Sequence, residues 1–215
     1  MPNMRISYAG ENAFLLDASS TVFEAGIQAR VINAAHALAR HTGVRQAIPG
    51  VNNLLMVFDS VMHDHREARI WLEDAWYQAS SDEPDGRMIS IPVTYDSESS
   101  EDLKAIAYYC NLTITDIISL HSNASYRVAA VGAMPGFVYL SGLDPQLAIP
   151  RRQVPRMAVE KGSVIIGGGN AGVMPCTAPS GWYQLGHTDI ALFDHNRNPP
   201  CYLEIGDRVR FVNAR

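Results

Sequence analysis

The chain has 215 residues, and its 17 Lys and Arg against 22 Asp and Glu give a formal charge of −5. At about 150 residues per domain this is one large domain or two small ones, and 47% apolar residues supply a core without disulfide or metal staples. The acidic balance argues against nucleic-acid binding, which needs a basic patch for phosphates, and no run reaches the roughly 18 apolar residues of a membrane span. Charged residues are only 18% of the chain. Either a partner covers part of the surface, or the chain is simply rich in Ala and Gly. Cys110, Cys176 and Cys201 lack CxxC spacing and are expected to be reduced thiols in a cytoplasmic protein. The first residues lack a basic stretch followed by a long apolar core, so no secretory signal is expected. The sequons at Asn111 and Asn123 are then chance matches.

In chain order, Arg5 to Tyr8 and Ala13 to Leu16 flank the turn Gly10-Glu11-Asn12 and predict a hairpin. Phe23, Ile27, Val31, Ala35 and Leu38 recur at helical spacing, with Gly43 as the stop signal. Leu54 to Phe58 is short enough for a buried strand, and Ala68, Trp71, Leu72, Ala75 and Trp76 form one face of a second helix. Ser80 to Gly86 is the strongest linker signal, which places a boundary between domains of residues 1–86 and 87–215. Beyond it, Met88 to Val93 predicts a strand. Ser99-x-x-Asp102 and Thr113-x-x-Asp116 each resemble a capping box opening a short helix. From Tyr126 onward, β-rich pieces (Arg127 to Val131, Val164 to Ile166, Tyr183 to Leu185, Ile190 to Phe193, Arg208 to Val212) alternate with Gly and Pro turns. Ten of the 12 prolines fall between Pro84 and Pro200. This predicts an α+β protein, with a small N-terminal α/β domain followed by a β-barrel or sandwich.

Several residues are candidates for chemistry. Gly167-x-Gly169-x-x-Gly172 matches a dinucleotide fingerprint in letters only, because Pro175 and Pro179 forbid the helix that must follow. The run Gly167, Gly168, Gly169 is either a tight barrel turn or a loop whose amides face a ligand. In Gly132 to Leu140, the Pro135-Gly136 turn followed by Phe137 and Tyr139 builds a rigid, partly apolar wall, in which Tyr139 either lends its hydroxyl to a pocket or fills the core with its oxygen at the surface. Arg151, Arg152 and Arg156, stiffened by Pro150 and Pro155, are either a solvated loop or a fork for carboxylate or phosphate. His63-x-His65 lacks further ligands, so no metal site is expected. His121 ends a predicted helix, where the dipole favours it.

The order of Leu120-His121-Ser122, Gly132-x-x-Pro135-Gly136-Phe137-x-Tyr139-Leu140-x-Gly142-Leu143-Asp144 and Pro150-Arg151-Arg152 points to a known family. So do Val154-Pro155-Arg156, Gly168-Gly169-x-x-Gly172, Pro179-x-Gly181-Trp182 and Gly206-Asp207-Arg208-Val209. Together they resemble the family of 5-oxoprolinase B subunits, which includes KipI-type kinase inhibitors, proteins named allophanate hydrolase subunit 1, and part of the urea carboxylase carboxyltransferase domain. The resemblance spans essentially the whole chain. It implies a ferredoxin-like N-terminal domain and a C-terminal cyclophilin-like β-barrel. It also implies two partners, the A subunit plus a KipA-like C subunit, and ATP, with Mg, shared with or held on those partners.

The reaction implied is ATP-dependent opening of the lactam 5-oxo-L-proline to L-glutamate, by a subunit inactive without its partners. The implied alternatives are a histidine-kinase inhibitor and a urea- or allophanate-related carboxyltransferase or amide hydrolase. Lactam activation needs a proton carrier, cationic donors and oxyanion-facing amides. His121 and Arg156 are the catalytic candidates; Pro135, Gly136, Phe137, Tyr139, Arg151, Arg152, Gly167, Gly168, Gly169 and Asn170 are the candidates for substrate or phosphate. The family's usual Gly-Gly-Gln-Thr-Gly is here Gly168-Gly169-Asn170-Ala171-Gly172, Ala133 replaces a Phe, Asp96-Ser97 replaces Gly-Gly, and His187 stands where Arg is commoner. These changes bear on the substrate, not on the fold.

Overall fold

The computed structural model of the chain describes residues 4–18, 23–95 and 102–214. The chain divides into two compact units, Met1–Asp85 and Gly86–Arg215.

In the first unit β1 (Arg5–Tyr8) and β2 (Ala13–Asp17) form a hairpin, followed by α1 (Ala25–Leu38), β3 (Val44–Gly50), β4 (Asn53–Phe58) and α2 (His65–Gln78). The antiparallel sheet runs in the order β1-β2-β4-β3. Leu54, Met56 and Phe58 of β4 are wholly buried while Leu55 and Val57 are only partly so. The apolar run is therefore one-faced, with the period of two that a strand imposes. Val31, Leu38, Leu72 and Trp76 from the two helices share that core with Phe14 and Leu16. Phe23, expected on the helical stripe, precedes α1 and is exposed. The sequence pattern misses β3 because Pro49 interrupts it, but β3 is an edge strand, where proline is tolerated. The His63-x-His65 imidazoles are occupied: His63 Nδ1 lies 3.0 Å from Glu67 and His65 Nε2 lies 2.7 Å from the Glu11 carbonyl.

The second unit begins with β5 (Met88–Val93), α3 (Leu103–Cys110) and α4 (Ile114–Asn123). There follow β6 (Tyr126–Val131), β7 (Val138–Ser141), a 3₁₀ turn (Pro145–Leu147), β8 (Arg156–Val159), β9 (Ser163–Gly167), β10 (Asn170–Val173), β11 (Ala178–Ser180), β12 (Tyr183–His187) and β13 (Arg208–Asn213). Seven strands form one mixed sheet, β12-β9-β10-β7-β6-β13-β5, in which only β13 and β5 pair in parallel. Its edges meet where Thr94 and His187 exchange backbone hydrogen bonds of 2.8 and 2.9 Å. The sheet is thus a nearly closed barrel, filled by Ile91, Val128, Leu140, Val164, Ile166 and Phe211, with Ile106 and Ile117 from the helices.

Thr113 and Asp116 form the expected capping box on α4. Ser99, with Asp96-Ser97, lies outside the described residues. Asp102 is the N-cap of α3 but makes no capping bond. The strand expected at Ile190 to Phe193 is absent, apart from an isolated bridge between Phe193 and Cys201. There the Arg197 guanidinium ties down the carbonyls of Ala191, Leu192 and Pro200, holding the segment as a loop.

Candidate functional site

The outer face of the barrel carries a second, small core. In β9, Val164 and Ile166 point into the barrel, and Ile165 points out to join Phe137, Val159, Met174 and Trp182. β8 and β11 pair as a separate two-stranded ribbon, and residues of both contribute to this outer cluster. Residues 132–137 turn tightly, with Phe137 N donating to the Met134 carbonyl at 3.0 Å. Gly136 sits at φ +83°, and a Cβ there would stand 2.8 Å from Phe193 Cβ, so only glycine fits without strain. This turn delivers Phe137 and Tyr139 to the outer face. Gly167 has a matching purpose: a Cβ would lie 2.6 Å from Trp182 Cγ, so its absence lets the indole lie against the strand.

Phe137, Tyr139 and Trp182 meet edge to face, with centroids 5.1 Å apart for Phe137 and Tyr139 and 5.9 Å for each pair with Trp182, a geometry favoured by the ring quadrupoles. They wall an open pocket of about 270 Å³, which Met134, Arg151, Arg152 and Met174 also line. Arg151 lies 5.7 Å over the Trp182 ring, within cation–π range. Among the described residues it has no ion pair.

The other two arginines are committed. The Asp102 carboxylate, only 3% exposed, binds Arg152 Nη1 at 2.8 Å and both Nη atoms of Arg156 at 2.6 and 2.8 Å. It also accepts from the Gln184 backbone N–H at 3.0 Å. The three arginines, expected as either a solvated loop or a fork for carboxylate or phosphate, are thus divided: Arg152 and Arg156 bind Asp102, and Arg151 has no ion pair among the described residues.

His121, the candidate proton carrier, does not line this pocket. It is fully buried on α4, stacked on Phe211 at 4.5 Å, with Nδ1 2.6 Å from the Tyr95 hydroxyl. Burial drives its pKa down to about 3 and pushes the Tyr95 phenol up. Burial holds the imidazole neutral, and among the described residues its Nε2 has no hydrogen-bond partner. Gly168 and Gly169 make the two-residue turn between β9 and β10, with Gly168 at φ +61°. The Gly168 amide donates to the Ile149 carbonyl at 2.7 Å, so it faces no ligand. Asn170 pairs with Gly167 across that hairpin.

Of the residues singled out from sequence, Phe137, Tyr139, Arg151 and Arg152 come together around the pocket. Pro135 and Gly136 shape its loop, while His121, Arg156, Gly168, Gly169 and Asn170 lie elsewhere. Trp182 and Met174 are pocket residues that sequence reasoning passed over. Trp182 was visible in Pro179-x-Gly181-Trp182, and Met174 stands where the family usually has Tyr before Pro175.

The family model for the carboxyltransferase domain, subdomain C and D, matches residues 4–203. The B subunit of 5-oxoprolinase from Escherichia coli O157:H7 is 39% identical over 212 residues, covering 99% of this chain and 97% of its own length. The crystal structure of TTHA0988 superposes with a TM-score of 0.81 at 32% identity over 94% of this chain, which spans only 40% of TTHA0988. Kluyveromyces lactis urea carboxylase shares the fold, with a TM-score of 0.78 at 18% identity, over 100% of this chain and 22% of its own. The chain belongs to the family of the carboxyltransferase domain, subdomain C and D, and is a relative of the 5-oxoprolinase B subunits.

Proposed function

We propose that the chain is the B subunit of an ATP-dependent 5-oxoprolinase, which with partner subunits opens 5-oxo-L-proline to L-glutamate. The observation that carries this is the 39% identity, along 99% of the chain, to a 5-oxoprolinase B subunit. The pocket supports it. A lactam carrying one carboxylate suits a small site with aromatic walls and one uncommitted guanidinium. In this reading Arg151 takes the carboxylate, Phe137, Tyr139 and Trp182 enclose the ring, and Arg152 closes the rim. The chain's part is to bind, orient and exclude water. We read the barrel as cyclophilin-like. The first unit is read as a ferredoxin-like sheet and helix pair, whose edge strand β1 comes from the N-terminal side.

ATP with Mg²⁺ asks for a phosphate cradle and clustered oxygen ligands. The glycine turn leads into β10 rather than a helix, its Gly168 amide is occupied, and among the described residues no group of three His, Cys, Asp or Glu is gathered for a metal. The described residues do not fit the nucleotide, so we assign it to the partners, the A subunit plus a KipA-like C subunit. That TTHA0988 carries this fold as 40% of a longer chain is consistent with a subunit that works beside others. No helix among the described residues is long and apolar enough to cross a membrane, and the three cysteines are unpaired. A cytoplasmic subunit fits both.

The test is co-expression with the two partner subunits, followed by an ATPase assay with and without 5-oxo-L-proline. Co-purification and ATP hydrolysis that depends on 5-oxo-L-proline are expected. An assembled complex whose ATP hydrolysis ignores 5-oxo-L-proline refutes the reading.

A further inference from the structure

We infer that Asp102 is the positioning residue of the arginine–aromatic pocket, dividing three neighbouring arginines into separate duties. For the ligand's identity the inference rests on the functional reading above; for the positioning it rests on geometry alone. An aspartate at a helix N-cap ordinarily accepts from the first-turn amides. Asp102 makes no such bond, and spends its buried carboxylate on Arg152, Arg156 and the Gln184 N–H instead. Charge-assisted bonds of 2.6 to 2.8 Å are short and directional, so they fix orientation as well as charge.

These bonds pin the arginine segment at two points. Arg156 is the first residue of β8, and its fork is gripped at both Nη atoms. Arg152 is held by its head on Asp102, by its guanidinium 5.2 Å over the Tyr183 ring, and by its backbone N–H, which donates to the Gly181 carbonyl at 2.8 Å beside Trp182. Among the described residues the Arg152 Nε–H is buried without an acceptor. A donor left unsatisfied is a cost, tolerated here in an arrangement that holds Arg152 at the pocket rim. Arg151 is the next residue back along the chain. With Arg152 fixed, Arg151 is carried to its place over Trp182, and Asp102 does not neutralise it. Among the described residues the pocket thus presents one uncommitted cation, matched to a ligand with a single carboxylate.

Two measurements test this on wild type, Asp102→Asn and Asp102→Glu. The first is phenylglyoxal labelling of the full chain, read arginine by arginine by peptide mass spectrometry. Arg151 is expected to label about ten-fold faster than Arg152 and Arg156, with the three rates converging in Asp102→Asn and the order restored in Asp102→Glu. The second is 5-oxo-L-proline turnover by the assembled complex. Asp102→Asn should raise KM about ten-fold with kcat within about three-fold, and Asp102→Asn combined with Arg151→Ala should have no higher KM than Arg151→Ala alone. A merely structural role would lower Tm and leave both the KM and this non-additivity unmoved.

Equal labelling of the three arginines in wild type, or an unchanged order in Asp102→Asn, overturns the inference. So does an unmoved KM. Should Asp102→Asn not fold, the wild-type order and Asp102→Glu decide. Labelling as expected in a chain whose wild-type complex ignores 5-oxo-L-proline upholds the positioning and removes the functional reading alone.

Discussion

Arg151 and Arg152 are chain neighbours, yet one guanidinium is exposed over Trp182 and the other is tied to a buried carboxylate. The difference decides which of them a ligand can recruit. A charge-assisted hydrogen bond contributes about 1.5–3 kcal/mol, so Arg151→Ala should raise the KM for 5-oxo-L-proline roughly 10- to 100-fold. Its stability effect should be small, because an exposed cation–π contact contributes only about 0.5–1 kcal/mol. Steady-state kinetics of the complex beside a denaturant melt of the chain separate the two. His121 makes the opposite case, since it is a stability residue with a pH signature. It binds a proton near pH 6.5 when unfolded and only near 3 in the core. Between those values the unfolded state holds more protons, so stability falls as pH falls through that window. From pH 7 to pH 5 this one group should subtract about 2 kcal/mol. Replacing Tyr95 and His121 together with Phe removes the titration and its hydrogen-bond partner, and urea melts at the two pH values should then differ less by about that amount.

At the scale of elements, the turn at residues 132–137 is the most exacting part of the pocket. Gly136→Ala combines a left-handed φ with a Cβ 2.8 Å from Phe193. A cost of about 1–3 kcal/mol is expected, together with a higher KM, because Phe137 and Tyr139 leave the turn directly; melts and kinetics on the same preparation check both. That turn was legible in the sequence as Pro135-Gly136 just before Phe137 and Tyr139, and so were α1, α2, α4, β6, β9 and β13, whose apolar periodicity is strong. β10 and β11 were hidden in stretches that look like turns, since Gly172 and Pro179 lower intrinsic strand preference. Tertiary pairing overrides that preference: β10 lies between β9 and β7, with partners on both edges. Ile190 to Phe193 failed in the other direction, because Arg197 claims its carbonyls. Asp102 was invisible as part of the site for a plainer reason. Its partners Arg152, Arg156 and Gln184 are 50, 54 and 82 residues away, and nothing local in Asp102-Leu103-Lys104 announces them.

For the molecule as a whole, the question is how much chain the pocket needs. Each unit has its own apolar core, one around Phe14, Leu54, Leu72 and Trp76 and the other around Val128, Leu140, Val164 and Phe211. Every wall of the pocket, the Asp102 hub, the Gly136 and Gly167 clearances and the Thr94–His187 seam belong to Gly86–Arg215. At 130 residues, by subtraction of 85 from 215, that unit is long enough to bury a core of its own. A fragment of residues 86–215 should therefore melt cooperatively and show the wild-type labelling order, Arg151 ahead of Arg152 and Arg156. Circular dichroism melts and phenylglyoxal labelling of the fragment beside the full chain provide the check. A fragment that melts cooperatively but labels all three arginines alike would mean that the first unit helps to hold the segment in place. A non-cooperative fragment would mean that the barrel's seam and core do not suffice to close it.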